Sequence, residues 1–530
     1  MDTNQTSTSI MKGAVILTVA GMIVKLLSAV YRIPFQNIVG DIGFYIYQQV
    51  YPFYGIFLVL ATTGFPVVIS KLYIEQRTKN GEEGGRRLLK VAGLLLSMIA
   101  VLCCFAMYFS ADALAHYMND PQLADSLRIV AISFLILPLV SVLRGFFQGK
   151  GNMMPTAVSQ VSEQLIRVLF ILLYAYILTK MGASIYSVSG GVYYGVILAS
   201  LAAFAILLFY FIKEIKREPR MRQKHKPVSS FFQLSKEIIV QSFAICVSSL
   251  LLIFIQLADA LNLYALLTTS GFSEIEAKTL KGVYDRGQPL IQLGSVVATS
   301  MSLSLVPILT YVKMKQPQLL NEKIQLVIRV SLLFGVGASV GLWTIVRQTN
   351  VMLFENDKGS AVLGLLSFVI LLSSLVITLA AVHQGLGNSF FPAWTILIGV
   401  GLKYFLNRLF VPHDGIYGAV YATYIALALM VIALLFRLKW NQSVKLISVH
   451  VLLTILSSAI MMAILLNLYL SVTELSFMSG RVLATFQALT GAALGAILYL
   501  FLTIRSNIFT AAELRQLPFG EKLLHFMKRR

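Results

Sequence analysis

Charge is scarce in this chain, and negative charge scarcest. Only 12% of the 530 residues are Asp, Glu, Lys or Arg, and 23 acidic side chains stand against 43 basic ones. A soluble domain carries roughly a quarter charged residues. With 57% apolar residues and a mean hydropathy of +0.79, the composition excludes an ordinary soluble fold. Cysteine is nearly missing too. Cys103, Cys104 and Cys246 are odd in number, two are adjacent, and all three fall in apolar stretches, so neither a disulfide framework nor a metal-ligand spacing is present. The six histidines are scattered and form no HExxH pair. There is no P-loop, no nucleophile elbow and no paired-carboxylate arrangement. No connection between apolar stretches exceeds about 30 residues, which leaves little room for an extramembrane catalytic domain. The expectation is a protein with no catalytic residues, no metal and no cofactor, and not an enzyme.

What the chain has instead is apolar runs. A helix needs about 20 apolar residues to cross a hydrocarbon core roughly 30 Å thick. About 14 such runs are expected, near 10–31, 44–70, 91–110, 126–146, 157–179, 188–212, 237–262, 288–311, 324–346, 360–382, 393–411, 415–436, 446–470 and 482–504. The first is too long for the core of a cleaved signal peptide and lacks a small-x-small site, so it is expected to remain a spanning helix. The fold class is therefore an all-α polytopic membrane protein.

A net charge of +20 raises the question of nucleic acid, and its distribution answers it. With loops assigned to alternate sides, most Lys and Arg fall on the N-terminal side while the acids split almost evenly, as the positive-inside rule requires. The richest loops are 71–90 (Lys71, Arg77, Lys79, Arg86, Arg87, Lys90) and 213–236, and the tail carries Arg515, Lys522, Lys528, Arg529 and Arg530. The expectation is a multi-pass protein of the plasma membrane with both termini cytoplasmic. Its basic charge meets anionic lipid headgroups, and nucleic acid is not an expected partner.

The chain repeats itself at an offset of about 237 residues. Gln148-Gly149-Lys150-Gly151-Asn152 with Pro155 returns as Gln384-Gly385-Leu386-Gly387-Asn388 with Pro392. Tyr47 and Pro52 return as Tyr284 and Pro289, and Leu60-Ala61-Thr62-Thr63 as Val297-Ala298-Thr299-Ser300. An even number of spans separates equivalent points, so the halves are expected to be parallel repeats, an architecture of secondary transporters. The expected division is an N-lobe at 1–212, a basic cytoplasmic inter-lobe loop at 213–236 with Pro219 and Pro227, a C-lobe at 237–437, two extra helices at 438–505 and a basic tail at 506–530. The tail from Asn507 to Arg530 has the pattern of a short interfacial helix. The repeated glycines and prolines read as a tight turn that restarts a helix with Pro in its first turn, with hinge motion as the alternative use of Gly149, Gly151, Pro155, Gly385, Gly387 and Pro392.

A cation at mid-bilayer costs on the order of 2.5–3.5 kcal/mol on the insertion scale, so unneeded ones are rare. Lys25 lies inside the first span and Arg32 closes it. Arg167 follows Glu163 by four residues in the fifth span, and Lys403 occupies the matching point of the second half. Together they suggest a shared basic cavity. Singly, each has a plainer explanation: Arg167 pairs with Glu163 on one helix face, and Lys25, Arg32 and Lys403 snorkel to an interface. Asp259, near the end of the seventh span, is a natural proton or sodium site, or else simply ends a helix at the interface.

Four further stretches carry a family resemblance. Tyr31-Arg32-Ile33-Pro34 through Tyr47-Gln48-Gln49-Val50-Tyr51-Pro52-Phe53-Tyr54-Gly55, and Gly64-Phe65-Pro66-Val67-Val68-Ile69-Ser70-Lys71, resemble the Gram-positive polysaccharide-biosynthesis transporters of the stage V sporulation protein B type. So do Leu143-Arg144-Gly145-Phe146-Phe147-Gln148-Gly149 and Pro155-Thr156-Ala157-Val158-Ser159-Gln160-Val161-Ser162-Glu163-Gln164. These belong to the multidrug/oligosaccharidyl-lipid/polysaccharide exporter superfamily, related to the lipid II flippases. The resemblance implies two six-helix lobes around a V-shaped cavity, with the last two helices forming a groove for a lipid tail. It implies translocation of an undecaprenyl-pyrophosphate-linked glycan by alternating access, driven by membrane potential, H+ or Na+. Lys25 falls where the flippases carry a basic residue. Their following Arg-Asp pair is met by Tyr31-Arg32, without the acid. Tyr284-Asp285-Arg286 resembles their Tyr-x-Asp-Arg, which makes Arg286 a cavity cation and Asp285 its pairing or coupling acid. The implied partners are the lipid-linked oligosaccharide, membrane lipids and proteins of cell-wall synthesis. A cation-coupled multidrug exporter of the same fold and an integral enzyme acting on lipid-linked sugars are the alternatives.

Overall fold

The computed structural model describes residues 3–217, 230–442, 448–474, 480–506 and 508. Half of the inter-lobe loop (218–229), and nearly all of the tail expected to lie at the interface, are outside the described residues. Among those described, the chain is helical without a strand. The longer helices of the first part are α1 (Thr3–Val30), α2 (Arg32–Val59), α3 (Phe65–Phe109), α4 (Ala124–Ser133), α5 (Leu137–Gly149), α6 (Met154–Lys180), α7 (Tyr194–Arg217), α8 (Phe231–Ser249), α9 (Leu251–Thr269) and α10 (Glu274–Asp285). The second part holds α11 (Gly287–Gly294), α12 (Val296–Lys315), α13 (Leu320–Thr344), α14 (Val346–Phe354), α15 (Val369–Gly385), α16 (Phe390–Asp414), α17 (Ile416–Gln442), α18 (Val449–Thr473) and α19 (Gly480–Arg505).

Twelve described segments are long and apolar enough to cross a membrane, against the fourteen expected. The two counts differ for physical reasons. The first three expected spans fall in one 94-residue stretch, Ile16–Phe109, whose reversals are made by single residues rather than by loops. Gly40 (φ 69°) and Gly81 (φ 68°) interrupt α2 and α3 in a backbone region that side chains with a Cβ resist. The seventh expected span is broken at Leu250 into α8 and α9, each counted by itself. The expected span 288–311 is not among the twelve.

Packing divides the chain at a place the repeat does not. One compact unit comprises Met1–Asp285 with Tyr404–Gly415; the other comprises Arg286–Lys403 with Ile416–Arg530. Helices α8 to α10, expected to open the C-lobe at 237, therefore pack with the first unit. Small residues make this possible. Gly55 meets Ile253 at 2.9 Å from where a Cβ would stand, a Cβ on Gly64 would overlap the Cys246 sulfur, and one on Gly282 would overlap the Asp41 carbonyl. Polar contacts reinforce the apolar ones. Lys71 Nζ donates to Gln241 Oε1 (3.1 Å), and Asn119 Nδ2 donates to Thr268 Oγ1 (2.8 Å). Asp120, 3% exposed, accepts from the Tyr45 hydroxyl (3.0 Å) and the Tyr186 hydroxyl (2.7 Å) and lies 4.0 Å from Lys278 Nζ.

The repeat itself is visible in matched geometry within each unit. Gly151 (φ 78°) and Gly387 (φ 85°) take the same left-handed turn. In the first turn Gly151 N donates to Gln148 O and Asn152 N to Phe147 O; in the second, Gly387 N donates to Gln384 O and Asn388 N to His383 O. Gly149 stands 3.2 Å from the Ser70 carbonyl of α3, measured from an added Cβ, and Gly385 stands 3.2 Å from the Val306 carbonyl of α12. Ser70 and Val306 are 236 residues apart, so both turns press a glycine on equivalent backbone. Pro155 then lies in the first turn of α6, where its missing N–H has no helical partner to lose. The two last helices dock on the second unit: Val451, Ile455, Met462 and Leu466 of α18 and Tyr499 of α19 share a core with Leu326, Val330 and Leu333 of α13. Tyr499 OH also donates to the Leu333 carbonyl (2.9 Å).

Candidate functional site

The Gly40 reversal builds the site. By turning the chain back, it brings the start of α2 against its own middle. The Phe35 and Tyr47 rings meet edge-on at 5.0 Å, the Tyr31 and Tyr47 hydroxyls share a hydrogen bond, and Gln36 Nε2 donates to Asp41 Oδ1 (2.8 Å) across the turn. The same reversal lays the Arg32 guanidinium over the Tyr51 ring, 4.0 Å from its centroid. Arg32 is fully buried beside the Tyr31 hydroxyl, and none of its three guanidinium nitrogens makes a well-aligned hydrogen bond among the described residues. A buried cation with unused donors is costly, because neither water nor an acceptor replaces its hydration.

One helical turn further along α2, Tyr54 faces the second cation. Arg167 lies 5.3 Å from the Tyr54 ring, and the Tyr51 and Tyr54 centroids are 5.9 Å apart. Tyr193 closes the group, stacked on Tyr47 at 5.3 Å and donating from its hydroxyl to the Tyr47 carbonyl (2.7 Å). Two arginines are thus joined by a wall of tyrosine rings, whose electron-rich faces favour cations.

Arg167 is paired, as its spacing from Glu163 suggests. Its Nη2 donates to Glu163 Oε1 (2.7 Å) and its Nη1 to Gln164 Oε1 (2.5 Å). The carboxylate is shared, however. Arg144 Nη2 donates to Glu163 Oε2 (2.7 Å), and Ser200 Oγ donates to Oε1 (3.0 Å). Arg32, Arg144 and Arg167 against Glu163 leave a local charge of +2. Arg144 is absent from the candidates drawn from sequence, although it lies inside the fourth expected span and meets the same insertion-cost criterion.

The remaining candidates are placed as follows. Lys25 is on an exposed face of α1, the helix that packs on α6. Asp259 is buried in α9, where it accepts from Tyr284 OH (3.0 Å) and Asn407 Nδ2 (3.0 Å); Asn407 Nδ2 also donates to Asn262 Oδ1 (2.9 Å). Asp285 receives both 2.6 Å bonds of Lys281 Nζ, a buried pair one turn apart that sequence reasoning missed. In the second unit Arg286 is buried, donates to Asn350 Oδ1 (3.2 Å) and Asn356 Oδ1 (2.9 Å), and lies over Phe354 at 5.2 Å. Lys403 is fully buried in α16. Among the described residues no group of His, Cys, Asp and Glu could hold a metal ion.

A fold of bundled spanning helices in two repeats, with cations buried inside it, has the architecture of a membrane transporter. Residues 10–313 match the family described as polysaccharide biosynthesis protein, and the chain belongs to that family. It is 44% identical over 526 residues to the uncharacterized membrane protein YabM of Bacillus subtilis (strain 168), covering 98% of this chain and 97% of that one. It is also 28% identical to the lipid II flippase MurJ and 26% identical to stage V sporulation protein B of the same organism, each alignment covering 97% of this chain and 98% of the relative. The solved inward closed conformation of a lipid II flippase MurJ matches with a TM-score of 0.66 at 15% identity, over 94% of this chain and 98% of that one. An inward-facing multidrug resistance MATE family transporter of the MOP superfamily matches with a TM-score of 0.66 at 16% identity, over 82% and 99%. The protein is a multi-pass membrane protein with the fold of this superfamily.

Proposed function

We propose that this protein is a flippase that carries an undecaprenyl-pyrophosphate-linked glycan, either a lipid II-like wall precursor or a polysaccharide repeat unit, from the cytoplasmic to the outer leaflet by alternating access. The observation that carries this is Arg32, buried with no well-aligned acceptor for its three nitrogens among the described residues, beside a second arginine on the same tyrosine wall. Guanidinium groups match phosphate oxygens in geometry and charge, and a pyrophosphate head supplies acceptors for them. The family membership and the full-length similarity to a lipid II flippase support the substrate class. Lys25, exposed on α1, is the entry cation of this reading, while Arg286 and Lys403 supply positive charge in the second unit.

Both termini face the cytoplasm in this proposal, with the basic loops on the inner leaflet. The Asp120, Tyr45, Tyr186 and Lys278 cluster then lies on the outer side and has to loosen when the head leaves. Each cavity cation feels about 2.3 kcal/mol per 100 mV, which returns the unloaded carrier toward the inner leaflet. The MATE-like fold keeps a multidrug exporter in view, but the sign of the cluster disfavours it: an organic cation needs an excess of carboxylate, and this site has an excess of arginine. The test is complementation of a strain depleted of its lipid II flippase, with undecaprenyl pyrophosphate flipping in proteoliposomes measured in parallel. Growth and flipping are expected. Export of organic cations, with neither rescue nor flipping, would overturn the proposal.

A further inference from the structure

Glu163 poses a problem for a site that binds anions. A buried carboxylate 2.7 Å from Arg167 would cancel that cation's charge toward any ligand. We infer that Arg144 is a positioning residue for the pyrophosphate site: by holding the second oxygen of Glu163 it keeps one unit of positive charge on the trio and leaves Arg167 able to attract the ligand. This rests on the function proposed above.

Three observations carry it. Arg144 is fully buried and gives every arm a partner, with Nη2 on Glu163 Oε2, Nε on Ser159 Oγ (3.2 Å) and Nη1 on the Ala61 carbonyl (3.3 Å). It is therefore a fixed counter-charge rather than a group that follows substrate. Ala61 lies in a π-helical turn, Leu60–Gly64, where the regular hydrogen-bond ladder is diverted. That turn continues α2 from the tyrosine wall, so Arg144 ties the wall to the trio. The third observation is the internal repeat. Counted 236 residues on, from Gln148 to Gln384, Arg144 becomes Ala380, Glu163 becomes Gly399 and Arg167 becomes Lys403. At the matching positions of the second half the acid and the arginine that offsets it are both missing. The acid and its arginine go together, as expected if Arg144 is present to offset Glu163.

The experiment uses the full chain in lipid nanodiscs and undecaprenyl pyrophosphate as the probe, with melting temperature recorded for every variant. Arg144→Gln is expected to weaken binding by about tenfold, the effect of one unit charge ~10 Å away at an effective dielectric of ~20. Glu163→Gln is expected to bind at least as tightly as the parent, and the double variant to return near the parent although the Arg144 contacts to Ser159 and Ala61 are still missing. A merely structural Arg144 would leave the double variant as weak as the single, and that result overturns the inference. If Arg144→Gln does not fold, Glu163→Gln decides: weaker binding there overturns it as well. Arg32→Gln separates the two levels. Loss of binding in Arg32→Gln with no response in the trio sinks only the role of Arg144, whereas no response in either sinks the pyrophosphate site.

Discussion

Replacing Arg32 by Met should make the protein more stable and less active at once. Burying an unpaired cation costs several kcal/mol even after relaxation, and a desolvated cation–π contact such as that with Tyr51 recovers about 2 kcal/mol. With no well-aligned acceptor for its three nitrogens among the described residues, Arg32 carries a net folding cost on the order of 1–3 kcal/mol. Methionine keeps the length of the stem and stacks on the same ring without the charge, so most of that cost should disappear. Binding should move the other way. Truncating one partner of a buried charged pair costs about 2–5 kcal/mol, which is a loss of at least about thirtyfold in affinity for a pyrophosphate lipid. The assay is a thermal melt of purified protein paired with flipping in proteoliposomes. Arg32→Met that melts lower than the parent and still transports would refute the reasoning, because it would make Arg32 a structural residue. Arg32→Lys should keep part of the activity, since it retains the charge but loses the planar, multidentate donor set.

Two further outcomes follow from the repeat and from the packing of the first unit. Gly151→Ala and Gly387→Ala, at φ 78° and 85° with open space around each, should each lower stability by about 1 kcal/mol and by similar amounts, measured as shifts in melting temperature. A large difference between them would count against equivalent turns. Gly282→Val should destabilise by at least about 2 kcal/mol, because its Cβ would overlap the backbone of Asp41 and force α10 away from α2; unchanged melting would contradict that close approach.

The sequence alone determined the class, because transfer energies act locally: runs of apolar residues must be helical in lipid, whatever packs against them. It also determined the internal repeat, which rests on turn chemistry carried by single residues such as Gly151 and Gly387, and it singled out Arg32, Arg167 and Glu163 through insertion cost and i,i+4 spacing. What only the tertiary structure decided are contacts between residues far apart in the chain. Gly40 reads in sequence as one glycine in an apolar stretch, yet its positive φ is what folds Arg32 onto Tyr51. Arg144 meets Glu163 from a neighbouring helix 19 residues away, and no periodicity within one helix predicts such a meeting. The boundary between packing units moved from the basic loop to Asp285 because close approach depends on which faces of α2, α9 and α10 carry small side chains. Pattern and transfer energy choose elements and their burial; shape complementarity between elements chooses partners, and it is the partners that turn four buried charges into a site.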